Sequence, residues 1–222
     1  VDNTCTNNGN GLSQTCSGSV GGAGPFTTLA NVKAKAGGYT AGDFVLFKRG
    51  QTFPTGTLTS GFIINWNGTV GNVITFGDYG SGTKPVIDAT SATRGFDLQQ
   101  VNYITLSNLE FRNATQNNIL MRSTTAALSN ITLDGVDVLG GTTAAVVGVG
   151  FFTGASTNIS NLTIQNSTLS NNSYGFSLTT GTTGTFGAMT FVDVIVNNNA
   201  NDGIRINRNG IVSSITISES TF

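Results

Sequence analysis

The sequence predicts a right-handed parallel β-helix, and three observations carry that prediction. A line of the form (I/L/M)-T-(L/I/F) recurs at Thr75, Thr105, Thr132, Thr163, Thr190 and Thr216, with a spacing of roughly 26–31 residues that suits one coil of a solenoid. The residues flanking Thr are apolar: Ile104 and Leu106, Ile131 and Leu133, Leu162 and Ile164, Met189 and Phe191, Ile215 and Ile217. Alternation with period two marks a strand with one buried face, which leaves Thr pointing outward. A second apolar segment then follows after a polar turn, at 117–121, 144–152, 174–178 and 202–206, with no helical crossover between copies. Coils stacked at the strand spacing of about 4.8 Å bury all these side chains. Leucine-rich repeats are shorter, and propeller blades need about 40–50 residues each.

Residues 1–50 are expected to form an N-terminal cap. The stretch "VDNTCTNNGNGLSQTCSG" has little hydrophobic content of its own, and its two cysteines, Cys5 and Cys16, flank a short loop. A disulfide there would tie down the segment, contribute about 2–3 kcal/mol and imply an oxidising compartment. The alternative is two free thiols. A metal site is the poorer reading, because the chain has no His to join them.

"PFTTLANVKAKAGG" at 25–38 reads as the one helix, with Thr27 or Thr28 as N-cap, Leu29, Val32 and Ala36 on one stripe and Gly37 as the stop. Such a helix would cover the open edge of the first coil, which is otherwise a template for unwanted strand pairing. Residues 51–222 then supply about six coils. The sequence stops at "ITISESTF", inside a repeat, so the expectation is either a longer β-helix or a last coil covered by another molecule, with end-to-end stacking of copies as one form of that.

Composition narrows the partners. Charged residues make up only 9% of the chain, with ten Lys+Arg against eleven Asp+Glu, so there is no basic field to hold a phosphate backbone. Nucleic acid is excluded as the expected partner. No apolar run approaches the ~18–20 residues of a membrane helix. The chain begins at Val1 with no charged-then-apolar leader, which raises the expectation of a leader removed or lying outside this sequence. Together with the cysteines this points to an extracellular or cell-surface setting.

The run "VDNTCTNNGNG", then "GPFTTLANVKAKAGGYTAGDFVLFKRGQTF", then "VITFGDYGSGTKPVID", then Asn-rich repeats, resembles the N-terminal part of bacterial secreted proteins of the pectate-lyase-like right-handed β-helix superfamily. The likeness covers nearly the whole chain. It implies the fold strongly and the activity weakly, because this scaffold carries lyases, hydrolases, tailspikes and adhesins.

A polyuronate lyase of that superfamily would be expected to hold Ca²⁺ on acidic ligands, with a Lys or Arg base beside them. Glu110 and Asp137 occupy the same position of consecutive repeats, and Asp134 lies three residues before Asp137. Glu110 and Asp137 are therefore the candidate calcium ligands; the alternative is a solvated acidic face. Basic candidates are Arg112, Arg122, Arg205 and Arg208, with Asp202 beside Arg205 as a surface ion pair in the plainer reading. Polygalacturonase-type hydrolases need a His in a Gly-His-Gly setting, which a chain without His cannot assemble. Hydrolysis by two carboxylates alone would fall to Glu110, Asp134 and Asp137.

The outward Thr ladder and the turn amides Asn113, Asn117, Asn118, Asn171, Asn172, Asn197, Asn198 and Asn199 offer a neutral face. Stacked amides either stabilise the solenoid or lie against a polysaccharide. Aromatic platforms for a sugar ring are Trp66 and Tyr79, with Tyr103 and Tyr174 behind them; filling a coil corner is the other reading of Trp66. The leading functional expectation is an extracellular structural or surface-binding rod, self-assembling end to end or binding polysaccharide. The alternative is the N-terminal portion of a secreted polysaccharide lyase or glycoside hydrolase acting on acidic polysaccharide.

Overall fold

The computed structural model describes residues 1–140, 146–153, 158–179, 184–207 and 211–222. Among them are helix α1 (Leu29–Lys33) and strands β1 (Phe44–Lys48), β2 (Thr52–Pro54), β3 (Phe62–Ile64), β4 (Ile74–Tyr79), β5 (Val86–Asp88), β6 (Arg94–Gln99), β7 (Asn102–Ser107), β8 (Glu110–Arg112) and β9 (Asn117–Ser123). The chain continues through β10 (Leu128–Asp134), β11 (Asp137–Leu139), β12 (Val147–Thr153), β13 (Ile159–Ser170), β14 (Tyr174–Thr179), β15 (Phe186–Asn197), β16 (Asp202–Asn207) and β17 (Val212–Ser218).

Every pairing between these strands is parallel, and each coil supplies one strand to each of three faces. Face one stacks β1, β4, β7, β10, β13, β15 and β17; face two stacks β2, β5, β8 and β11 and continues on the second halves of β13 and β15; face three stacks β3, β6, β9, β12, β14 and β16. This is the parallel β-helix that the repeat pattern predicts. The register agrees to the residue: Thr75 pairs with Thr105, Thr105 with Thr132, Thr132 with Thr163, Thr163 with Thr190, and Thr190 with Thr216. Phe44 lies one coil below Thr75, so β1, the first strand expected within residues 1–50, is the first rung of face one.

The corner between faces one and two is made by one residue in the left-handed region: Asn108, Gly135, Asn166, Asp193 and Glu219 have φ of 52°, 64°, 51°, 51° and 52°. Asn, Asp and Gly adopt that conformation at low cost, which explains their recurrence there. A second left-handed column lies within face one, where Tyr103 (φ 58°) stands opposite Asn130 (φ 57°) and Asn161 (φ 52°). A tyrosine there is strained where asparagine is not. Tyr103→Asn is therefore expected to stabilise the protein by about 1 kcal/mol, read as a higher midpoint in urea; a lower midpoint would show that the ring makes compensating contacts.

The core is a long apolar cluster running through the coils, with Ala89, Ala92 and Ala114 forming a small separate cluster. Phe62 stacks near Phe96, Phe96 near Phe111, Phe151 near Phe176 and Phe176 near Phe191, with ring centroids 4.9, 4.9, 5.0 and 5.0 Å apart. Each fully buried Phe contributes about 1.5–3 kcal/mol through area burial.

Helix α1 is shorter than the sequence predicts. Thr28 caps it by accepting a hydrogen bond from the Asn31 amide, and Leu29 and Val32 enter the core, but the helix ends at Lys33 and Ala36 is exposed outside it. The reason is tertiary. Tyr39 must turn inward, where its hydroxyl donates to the Val32 carbonyl at 3.0 Å and its ring meets Trp66 edge-on, and Gly37 and Gly38 (φ 75° and 67°) turn the chain to place it. Lys33 Nζ donates to the Ile63 carbonyl at 2.8 Å, which ties the helix to β3. Burial lowers the Lys33 pKa.

Cys5 and Cys16 form a disulfide. Asp2, almost fully buried, accepts hydrogen bonds from Lys48, Thr4 and Gln51. Burial alone would raise its carboxyl pKa, but these bonds outweigh it and hold the group well below the usual carboxylate range. Among the described residues no helix is long and apolar enough to cross a membrane.

Candidate functional site

On face two, Glu110 and Asp137 are direct cross-strand partners, as their repeat positions predict. Each is met by a cation: Lys84 Nζ lies 2.8 Å from Asp137 and Arg112 3.3 Å from Glu110. Arg112 also reaches Asp88 at 3.5 Å. Burial pushes the Asp88 pKa up, but hydrogen bonds from Thr90 and Asn113 and the Arg112 charge outweigh it and leave it lowered. A calcium ion on Glu110 and Asp137 would have to displace Lys84 and Arg112. Asp134 belongs to face one, where it accepts from Asn166 at 2.7 Å, so the three carboxylates do not converge on one point. Among the described residues, the one group of three metal-type ligands close together is Asp2, Cys5 and Cys16, and the disulfide occupies both of its thiols.

Face three brings different residues together. Its strands place Asp97, Leu120, Gly150, Ser177 and Arg205 in one outward column, and Gln99, Arg122 and Phe152 in another. Asp97 is fully buried although it points away from the core. Arg122 closes on it with two nitrogens, Arg94 lies 3.7 Å away and Gln99 donates to it at 3.1 Å. Two guanidinium groups thus converge on one carboxylate, leaving one positive charge in excess at the surface.

Beside this cluster lies a groove of about 440 Å³ lined by Arg94, Asn117, Arg122, Gly150, Phe152 and Ser177, among others, a size suited to a small ligand or a segment of a chain. Phe152 is 53% exposed and offers an aromatic platform. At Gly150 the Asn117 amide nitrogen occupies the space that a Cβ would fill. Ser177 is buried, and its hydroxyl has no hydrogen-bond partner among the described residues; the same holds for Arg94 Nε. Further along the face, Arg205 lies 4.7 Å from the centre of the Tyr174 ring. Arg208 lies outside the described residues.

Of the basic residues picked out in the sequence, Arg122 lines this groove and Arg112 does not. Asn117, read there as a turn amide, faces the groove. Asp97, Arg94, Gly150, Phe152 and Ser177 were not singled out. The signal that could have found them is the repeat frame itself, carried from face one to face three. The other turn amides divide: Asn118, Asn172 and Asn199 form a ladder of hydrogen bonds inside the coil, while Asn113, Asn171 and Asn198 are left-handed corners.

Trp66 is partly buried against the core. It packs on Tyr39 and Phe62, and Lys33 Nζ lies 4.1 Å from its ring centre. Tyr79 lines a separate hollow of about 390 Å³ beside the disulfide loop, where its hydroxyl is buried without a hydrogen-bond partner among the described residues and burial raises its pKa. At the last rungs Ile206, Ile217 and Phe222 are about half exposed.

No protein-family model matches the sequence, and no curated protein matches it. Solved structures do match its shape. A native glycoside hydrolase family 136 lacto-N-biosidase from Eubacterium ramulus superposes with a TM-score of 0.54 at 12% identity, over 93% of this chain and 56% of that one. The selenomethionine derivative of the same enzyme gives 0.52 at 12% identity over 97% and 51%. The pectate lyase Pel9A gives 0.46 at 15% identity over 98% and 79%. This chain spans about half the length of the lacto-N-biosidase chains. The likeness is one of fold: a parallel β-helix, as the sequence resemblance implies.

Proposed function

We propose that this chain is an extracellular carbohydrate-binding β-helix that holds a saccharide, with an acidic group, in the groove of face three. The observation that carries the reading is the arrangement in that groove: two guanidinium groups converging beside an exposed Phe ring and a buried, unpartnered hydroxyl. Guanidinium forks match carboxylate geometry, and an aromatic face packs against the apolar side of a sugar ring. The fold is compatible with the reading, since a lacto-N-biosidase shares it. The Cys5–Cys16 disulfide supports an oxidising, extracellular setting.

Binding is better supported than hydrolysis. Two-carboxylate chemistry needs a pair of acids flanking one bond, and among the described residues Asp97 is the one acid beside the groove, already committed to Arg94 and Arg122.

Calorimetric titration with trigalacturonate and cellotriose tests the proposal. The acidic trisaccharide is expected to bind and the neutral one to bind at least tenfold more weakly. Phe152→Ala, at an exposed position, is expected to lower affinity about three- to tenfold without changing the melting temperature. Absence of binding by either sugar, or unchanged affinity in the Phe152 variant, would sink the reading.

A further inference from the structure

We infer that Ser177 is the specificity-determining residue of the face-three groove, reading the configuration of one ring hydroxyl on the bound sugar. This rests on the saccharide reading of the groove and goes beyond it by assigning what the floor selects.

Ser177 belongs to β14, between Phe176 and Leu178, whose side chains enter the core. Strand alternation therefore turns Ser177 outward. Outward residues of a solenoid usually meet water, yet Ser177 is 1% exposed and its Oγ has no hydrogen-bond partner among the described residues, while it lines the groove. A buried hydroxyl left unpaired destabilises the free protein, and the loss is recovered only when something enters that can pair with it.

Its surroundings say what kind of group that is. The preceding coil places Gly150 next to it in register, and the absence of a side chain at Gly150 lets the Asn117 amide lie across the floor. A hydroxyl and a carboxamide thus stand about one rung, roughly 4.8 Å, apart. Both accept and both donate, which suits a sugar hydroxyl, itself donor and acceptor. The guanidinium groups of Arg94 and Arg122 hold the acidic end of the ligand, so the ring is fixed before the floor is reached. Configuration at a single carbon then decides whether its hydroxyl meets Ser177 or leaves it unpaired. A site built to pair with a hydroxyl rejects an analogue that cannot supply it far more strongly than an apolar pocket rejects an extra group.

The test has two arms on the full chain. In thermal melting, Ser177→Ala is expected to raise the midpoint by about 2–4 °C, because it removes an unpaired buried hydroxyl. A lowered midpoint would show that the hydroxyl is engaged within the protein and would overturn the inference. In NMR titration, the methyl α-glycosides of galacturonic, glucuronic and mannuronic acid serve as probes, since glucuronic acid differs from galacturonic acid only in configuration at C4 and from mannuronic acid only at C2. The native protein is expected to prefer one of them by about tenfold or more, and Ser177→Ala to lose that preference while still binding all three. Binding without preference, or a preference that survives in Ser177→Ala, would overturn the assignment and leave the saccharide groove standing. Failure of all three probes together with trigalacturonate would overturn the groove reading itself, and this inference with it.

Discussion

Asn172→Ala is expected to lower the unfolding free energy by about 3–4 kcal/mol, measured in urea at neutral pH with Asn197→Ala as the exposed control. Asn172 is 3% exposed, and all its polar groups are used. Its Nδ2 donates to the Val138 carbonyl at 3.1 Å and the Ser170 carbonyl at 2.8 Å, and its Oδ1 accepts from Asn118 Nδ2 at 3.2 Å. Its backbone amide donates to Asn199 Oδ1 at 3.0 Å. The side chain thus ties together carbonyls of successive coils at the corner between faces two and three, where the strand ladder is interrupted. Alanine leaves two buried carbonyls without this donor and one amide short of an acceptor. An unmade buried bond costs more than a made one contributes. Asn171, next to it, should behave differently: with φ at 57° its role is the left-handed bend, so Asn171→Gly is expected to change stability by less than about 0.5 kcal/mol. If Asn172→Ala were no more damaging than Asn197→Ala, the interior ladder would not be what holds this corner.

The same contrast shows what a single sequence discloses. Face one was legible to the residue because its outward positions meet water: Thr105 between Ile104 and Leu106, or Thr163 between Leu162 and Ile164, alternates cleanly and fixes the coil register. Face three was not. Along β6, β9 and β14 burial runs nearly unbroken, because the outward positions Asp97, Leu120 and Ser177 are themselves covered, which polar residue types such as Asp97 and Ser177 do not announce. Loss of alternating burial on one face of a solenoid marks outward side chains covered by their neighbours, and here that face carries the groove. Asp97 escaped notice for a related reason: its partner Arg122 lies one coil away, a neighbour through strand pairing and not through sequence. The helix boundary failed differently. Local propensity favours continuing through Ala34–Ala36, and the packing of Tyr39 on Trp66 overrides it.

Asp97→Ala is expected to cost about 3–5 kcal/mol and to abolish binding of acidic saccharide in the same preparation. Asp97 is fully buried, whereas the Arg122 and Arg94 side chains keep 27% and 22% of their exposure. Removing the carboxylate leaves two like charges facing one another over an apolar floor formed by Leu120 and the coil beneath. They would relieve the repulsion by swinging to solvent, and the fork that meets a carboxylate would be lost. Stability alone does not separate this from a simple cavity, so the informative experiment is a double-mutant cycle with Arg122→Ala. If Asp97 acts by holding Arg122, the second substitution should add little to the first, giving a coupling of at least about 1–2 kcal/mol. Additive losses would mean that Asp97 is held by the fold independently of the arginine. Asp97→Asn sharpens the point: it keeps the shape and the bond from Gln99 but removes the charge, so it should cost less stability than alanine while still weakening the hold on Arg122. Saccharide affinity that falls with charge at position 97, in step with the loss of coupling, would make this carboxylate the positioning residue of the groove.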